Sequence, residues 1–213
     1  MDWSAKAQDI RAVVLDVDGV LTDGRIGYGG GSDDEIKFFH VRDGVGIALL
    51  RQSGVKVGII TGRCSKANRR RAEELKLDFV FEGQLRKIDA LLALCEQLGL
   101  QPAHCLYVGD DVIDIGPMRL AGVAVAVGDA AAEAKAAASW VASASGGRGA
   151  VREVAELELD ARLLLEARLL VDRFHRAHQQ TAAHDRQRDT RKAAARADVG
   201  EPLRLLQVGQ HRE

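Results

Sequence analysis

Asp16 and Asp18 lie two residues apart in DVDGV, where the apolar run RAVVLDV (11–17) ends. On a continuing strand, carboxylates at that spacing share a face. They repel each other unless a proton or a cation lies between them. Asp110, Asp111 and Asp114 follow a second apolar run, Cys105 to Val108. Carboxylates gathered without a balancing cation call for a hard divalent ion, and oxygen donors with water suit Mg²⁺. Lys87 opens a helical pattern and can offset part of that charge. Thr61-Gly62-Arg63 ends a third run, Val55 to Ile60, and leads into another helical pattern. A hydroxyl, free backbone N–H groups and a helix N-terminus make an anion site. Beside an acidic cation site, phosphate is the natural anion. Asp18, Asp114 and Thr61 are also ordinary helix-capping types. Two acidic clusters at two strand ends favour chemistry over capping.

The elements that must position these residues are strands alternating with helices. Short Val- and Ile-rich runs at 11–17, 55–60, 79–81, 105–108 and 123–127 predict buried parallel strands. Helical patterns run over 45–53, 65–75, 87–98 and 130–138. This alternation predicts an α/β fold, a Rossmann-like doubly wound parallel sheet with helices on both faces. Right-handed crossovers place every strand's C-terminal end on one edge, where such sheets bind ligands. Residues 24–40 differ: Ile26 and Tyr28 alternate with glycine, Gly29 to Ser32 offers a turn, and Ile36 to Phe39 resumes. That pattern predicts a β-hairpin flap. SGGRG (145–149) reads as a flexible break before a long helix over 150–178. The division expected is a catalytic domain over 1–178 and a polar, Arg-rich extension over 179–213, partly disordered.

Composition narrows the class. With 213 residues, 46% apolar and 29% charged, the chain is long enough for one domain with an appendage. A net charge of -1 argues against coating nucleic acid or an anionic membrane. No apolar run reaches a membrane-spanning length, and MDWSAKAQDI lacks a signal-peptide pattern. Cys64, Cys95 and Cys105 show no metal-like spacing and read as small, buried or half-buried residues of a reduced cytoplasmic chain.

The ordered set DVDGV, IITGR, Lys87 and GDDVID resembles the haloacid dehalogenase superfamily of phosphohydrolases over residues 10–155. LDVDGVLTDGRI, FFHVRDGVGI and GGRGAVREV further resemble the 3-deoxy-D-manno-octulosonate 8-phosphate phosphatase family. The resemblance implies Mg²⁺-dependent hydrolysis of that phosphate within lipopolysaccharide biosynthesis, with Asp16 as nucleophile and an aspartyl-phosphate intermediate. It implies Mg²⁺ held by Asp16, the Asp18 carbonyl and Asp110, with Asp111 and Asp114 orienting the metal shell. Asp18 would act as acid and base, and Thr61, Gly62 and Lys87 would cradle the phosphate. The sugar acid would meet Asp18, His40, Val41, Arg42, Asp43, Gly44, Arg63, Arg71 and, across a subunit boundary, Arg148.

Only about 45 residues separate Asp16 from Thr61, so no large cap domain fits there. The resemblance implies a homotetramer in which flaps pack together and neighbours complete each site. Ala48 departs from the family, which often carries a basic residue there, and the flap loop is longer and more acidic. Those departures keep open a phosphatase for a sialic-acid-type 9-phosphate. A receiver-like phospho-acceptor is the non-enzyme alternative, but it has no use for an acid/base at Asp18. A silent scaffold would require loss of Asp16, Asp18 or Lys87, and all are present.

Overall fold

Uninterrupted apolar runs demand burial on both faces, and a parallel sheet between helix layers supplies it. The computed structural model describes residues 6, 9–29 and 35–160. Its strands are β1 (Ala12–Leu15), β2 (Gly27–Tyr28), β3 (Glu35–Ile36), β4 (Lys56–Ile60), β5 (Phe79–Phe81), β6 (Cys105–Gly109), β7 (Val123–Ala126) and β8 (Trp140–Val141). Six of them form one parallel sheet in the order β5-β4-β1-β6-β7-β8. β1 is central and wholly buried, with Val14 opposite Gly58 on one side and Tyr107 on the other. The chain builds β4 and β5 on one side of β1, then crosses to build β6, β7 and β8 on the other. That reversal opens a crevice at the C-terminal ends of β1, β4 and β6.

The helices are α1 (Val41–Gln52), α2 (Lys66–Leu75), α3 (Lys87–Leu98), α4 (Ile115–Leu120), α5 (Ala132–Ala137) and α6 over 150–160. α1 packs with α2, α3 with α4, and α4 with α5. Right-handed crossovers on either side of the reversal put these groups on opposite faces. The core is aliphatic: Val13, Leu15, Ile59, Leu91, Leu106 and Val125 are buried in it. No helix among the described residues is long and apolar enough to cross a membrane.

β2 and β3 pair antiparallel as a separate two-stranded hairpin, the expected flap. Between Asp16 and Thr61 the described residues hold only this hairpin, α1 and the sheet strand β4, so no large cap intervenes among them. Three local expectations change. α1 starts at Val41 rather than Val45, with His40 at its N-cap position. α4 and β8 were not foreseen; six and two residues are too short to show periodicity. The stretch 145–149, read as a break, forms a turn that leads into α6. The predicted continuation of the last helix to 178 and the extension over 179–213 lie outside the described residues.

Candidate active site

Asp16 leaves the buried end of β1 with its N–H donating to the Val108 carbonyl at 3.0 Å. Lys87, the first residue of α3, reaches the same point. Its Nζ lies 2.8 Å from Asp16 Oδ1 and 2.8 Å from Asp114 Oδ1, with the side chain fully buried. Asp114 also accepts from the Tyr107 hydroxyl at 2.8 Å and from the N–H groups of Asp110 and Asp111 at 3.1 and 3.3 Å. Both of its oxygens are therefore committed to protein donors. Asp110, half-buried, completes the cluster: Asp16, Asp110 and Asp114 each place one oxygen within 4.8 Å of the others.

Three carboxylates thus face one ammonium. Burial first, then Asp114, pushes the Asp16 carboxyl up to about 6 despite Lys87. Burial, followed by the charges of Asp16 and Asp114, pushes Asp110 up to about 8. Burial works against a charged Lys87, yet Asp16 and Asp114 together raise it above the ordinary lysine value. A pocket that drives its own carboxylates toward protonation is one that a hard divalent cation fits, because the cation supplies the missing charge.

Asp18 turns aside from this cluster. Its Oδ1 lies 2.6 Å from Nζ of Lys37, and its Oδ2 is buried with no hydrogen-bond partner. Neither Asp18 nor Thr61 is spent on capping. Ser65 caps α2, accepting from Ala67 N–H at 3.2 Å, whereas buried Thr61 sits before that turn and accepts weakly from Arg63 N–H at 3.4 Å. Gly62 lies between them on the same loop. Asp111 is exposed, and its Oδ1 accepts from its neighbour Val112 N–H at 2.7 Å, so it caps its own turn and stays outside the acidic cluster.

Two glycines explain how the loops come so close. Gly19 has φ +95°, and a Cβ there would lie 2.0 Å from Asp110 Oδ2. A Cβ on Gly146 would lie 1.7 Å from the Gly19 carbonyl oxygen. Gly147 N–H donates to Val20 at 2.9 Å, and Gly146 N–H donates to Asp129 Oδ1 at 2.8 Å. The glycines of SGGRG therefore permit close contact with the loop that follows β1.

The remaining expected residues lie on the flap, α1, α2 with the loop leading into it, and the turn before α6. Arg71 is the inward member of its arginine triplet: its guanidinium lies 5.5 Å from the Phe39 ring centre and passes over Gly44. Arg71 also pairs with Glu74 at 3.3 Å, as the more exposed Arg70 does at 3.2 Å, while Arg69 pairs with Glu82. Arg71, Phe39, Lys37 and Glu35 line a cavity of about 490 Å³ between the flap and α2. Arg63 pairs with Glu35, one of the residues lining that cavity. Arg42 and Arg148 line a second cavity of about 510 Å³, together with Arg152 and Glu156. Asp43 is buried and accepts from Arg152 N–H at 2.9 Å, fastening α6 to α1. His40 Nδ1 lies 3.9 Å from Asp43 Oδ2, and Val41 is exposed on the first turn of α1.

Sequence reasoning missed Lys37, Tyr107, Thr22 and Glu35. Tyr107 offered one signal, a hydroxyl in the middle of a central buried strand, where it must find a partner. Thr22 is buried and accepts from Gly19 and Gly24 N–H groups, holding the loop that carries Asp18. Cys64 is exposed, against expectation, while Cys95 and Cys105 are buried side by side.

This fold and site define a haloacid dehalogenase-like hydrolase. A profile of that family, described as haloacid dehalogenase-like hydrolase, matches residues 77–153. The chain is 45% identical over 161 residues to a 3-deoxy-D-manno-octulosonate 8-phosphate phosphatase of Escherichia coli, covering 76% of this chain and 85% of the relative. The Haemophilus influenzae counterpart is 40% identical over 157 residues, covering 74% and 87%. The crystal structure of the Moraxella catarrhalis enzyme, in complex with magnesium ion, phosphate ion and a KDO molecule, superposes with a TM-score of 0.73. It is 40% identical, and the match covers 79% of this chain and 97% of that one. The chain belongs to the 3-deoxy-D-manno-octulosonate 8-phosphate phosphatase family.

Proposed function

We propose that this chain is a Mg²⁺-dependent phosphoric monoester hydrolase that converts 3-deoxy-D-manno-octulosonate 8-phosphate to the free sugar acid and phosphate, as a step of lipopolysaccharide biosynthesis. The observation that carries the reading is the largely buried cluster of Asp16, Lys87, Asp110 and Asp114, with Asp18 and Thr61 on adjoining loops. Asp16, the Asp18 main-chain carbonyl and Asp110 would hold Mg²⁺, and Asp114 would orient that shell. Bound Mg²⁺ supplies positive charge that lowers the repulsion between two anions in contact.

The chain's own residues account for the rest. Asp16 attacks phosphorus, the bond to the sugar oxygen breaks, and an aspartyl-phosphate forms. Asp18 gives its proton to the leaving oxygen, then takes one from the water that releases phosphate. An alkoxide leaves poorly, so that proton carries much of the rate. Thr61, the Gly62 N–H and Lys87 hold the equatorial oxygens. Arg63, Arg71, Gly44 and the 40–43 segment would receive the sugar acid and its carboxylate, a charge that guanidinium groups match well.

Tyr28, Ile36, Phe38, Val41 and Val45 expose apolar side chains on the hairpin and α1. Such a surface supports a homotetramer in which flaps pack together and Arg148 reaches a neighbouring site. Cytoplasmic residence is part of the same proposal. The test is Mg²⁺-dependent phosphate release from 3-deoxy-D-manno-octulosonate 8-phosphate, beside sialic-acid 9-phosphates and hexose phosphates. Strong preference for the eight-carbon acid is expected. Preference for another sugar would keep the phosphatase and discard this substrate, with Ala48 the first position to restore as a basic residue.

A further inference from the structure

The flap carries its alternation inside out. Ile36 and Phe38 are 46% and 73% exposed, whereas the side chain of Lys37 between them is 0% exposed. Strand periodicity turns Glu35, Lys37 and Phe39 to the opposite face. Each of those three meets a residue of the site: Glu35 pairs with Arg63, Lys37 with Asp18, and Phe39 lies beneath Arg71. A buried lysine needs a partner. The nearest carboxylates are Asp18 Oδ1 at 2.6 Å and Glu35 Oε2 at 3.8 Å.

From this geometry we infer that Lys37 is the positioning residue of Asp18. The inference rests on the phosphatase reading above and adds a role for the flap within it. Lys37 occupies Oδ1 and fixes the rotation of the carboxyl group. Oδ2 is then the oxygen left to exchange protons, and it is the one without a protein partner. In the first step the Asp16 oxygen bonds to phosphorus, and the electron pair of the breaking P–O bond stays with the sugar oxygen. The proton on Asp18 Oδ2 moves to that oxygen, leaving a carboxylate still bonded to Lys37.

The experiment compares kcat/KM of wild type, Lys37→Met and Lys37→Arg on two substrates. One is 3-deoxy-D-manno-octulosonate 8-phosphate, whose alkoxide needs the proton. The other is p-nitrophenyl phosphate, whose leaving group does not. For both, kcat/KM reports the steps up to formation of the aspartyl-phosphate. Lys37→Met should lose about tenfold or more on the sugar phosphate relative to the aryl phosphate. Lys37→Arg should recover most of that loss, and Lys37→Met should cost little more in an Asp18→Asn background. Aryl phosphatase activity serves as the measure that each variant is folded. Equal losses on both substrates, or no loss on either, would overturn the role assigned to Lys37. A wild-type chain inactive on both would overturn the phosphatase reading, and the Lys37 role with it.

Discussion

The two edges of the sheet use the same side chains to opposite ends. At the N-terminal edge, Asp78 accepts from Val57 N–H at 3.0 Å and pairs with Arg51 at 3.0 Å and Lys56 at 3.0 Å. One carboxylate meets two cations and a backbone donor, and although burial opposes it, these hold its carboxyl below the ordinary range. At the C-terminal edge, three carboxylates share one lysine, and two of them are pushed up to about 6 and about 8. The first arrangement is complete within the chain. The second lacks positive charge, and the missing charge is what a cation and a phosphate-handling site bring. Charge balance therefore separates a fastening from a reaction centre better than residue type does.

The sharpest way to break this comparison is to remove one carboxylate from each edge. Asp16→Asn should lower phosphate release by about 10³-fold or more, since the attacking oxygen is gone. The same variant should leave the metal-free melting temperature unchanged or raised. A carboxyl driven toward protonation is replaced by a neutral group of equal shape, and Lys87 keeps Asp114. Retention of a tenth of wild-type turnover would end the covalent mechanism.

Asp78→Ala should do the reverse. It strands one backbone donor and two cations, at a cost of about 1–3 kcal/mol. For a chain of this size that lowers the melting temperature by roughly 2–4 °C per kcal/mol, with turnover per folded molecule near wild type. Thermal unfolding and phosphate release on the same samples read both effects. A larger loss in turnover than in stability would show that the two edges are not separate.

The site was legible where burial and charge conflict within a few residues of sequence. β1, β4 and β6 are buried on both faces, so they read as plain apolar runs, and the acids that follow them stand out. Asp16, Thr61, Lys87 and Asp110 were visible for that reason. Lys37 was not, because its partner lies 19 residues away and only the folded hairpin joins them. SGGRG misled in the opposite direction. Glycine permits both mobility and close approach, and composition does not say which; here Gly146 serves the approach. Asp43 sits in the first turn of its own helix, yet it fastens a helix more than 100 residues later.

The subtlest contrast between the edges is in their response to pH. The unfolded value for both acids is near 3.8, and the native values at the C-terminal edge are about 6 for Asp16 and about 8 for Asp110. Between about pH 4 and 8 the native state therefore holds more protons than the unfolded one. The contribution of this edge to metal-free stability is greatest in acid and is lost as pH rises through 6 and 8. Asp78 has the opposite sign: its contribution is present above 3.8 and is lost as acid approaches its lowered native value. Mg²⁺ must displace the protons on Asp16 and Asp110, so its apparent affinity should rise roughly tenfold or more from pH 5.5 to 8. Titration calorimetry in two buffers of different ionisation enthalpy would count the protons released. About one or more is expected near pH 6, falling toward none above pH 8. The stabilisation of the fold by Mg²⁺ should grow over the same interval, and Asp78→Ala should leave that growth untouched. Equal affinity at both pH values, with no proton released, would mean that the carboxylates at the C-terminal edge are already as well compensated as Asp78.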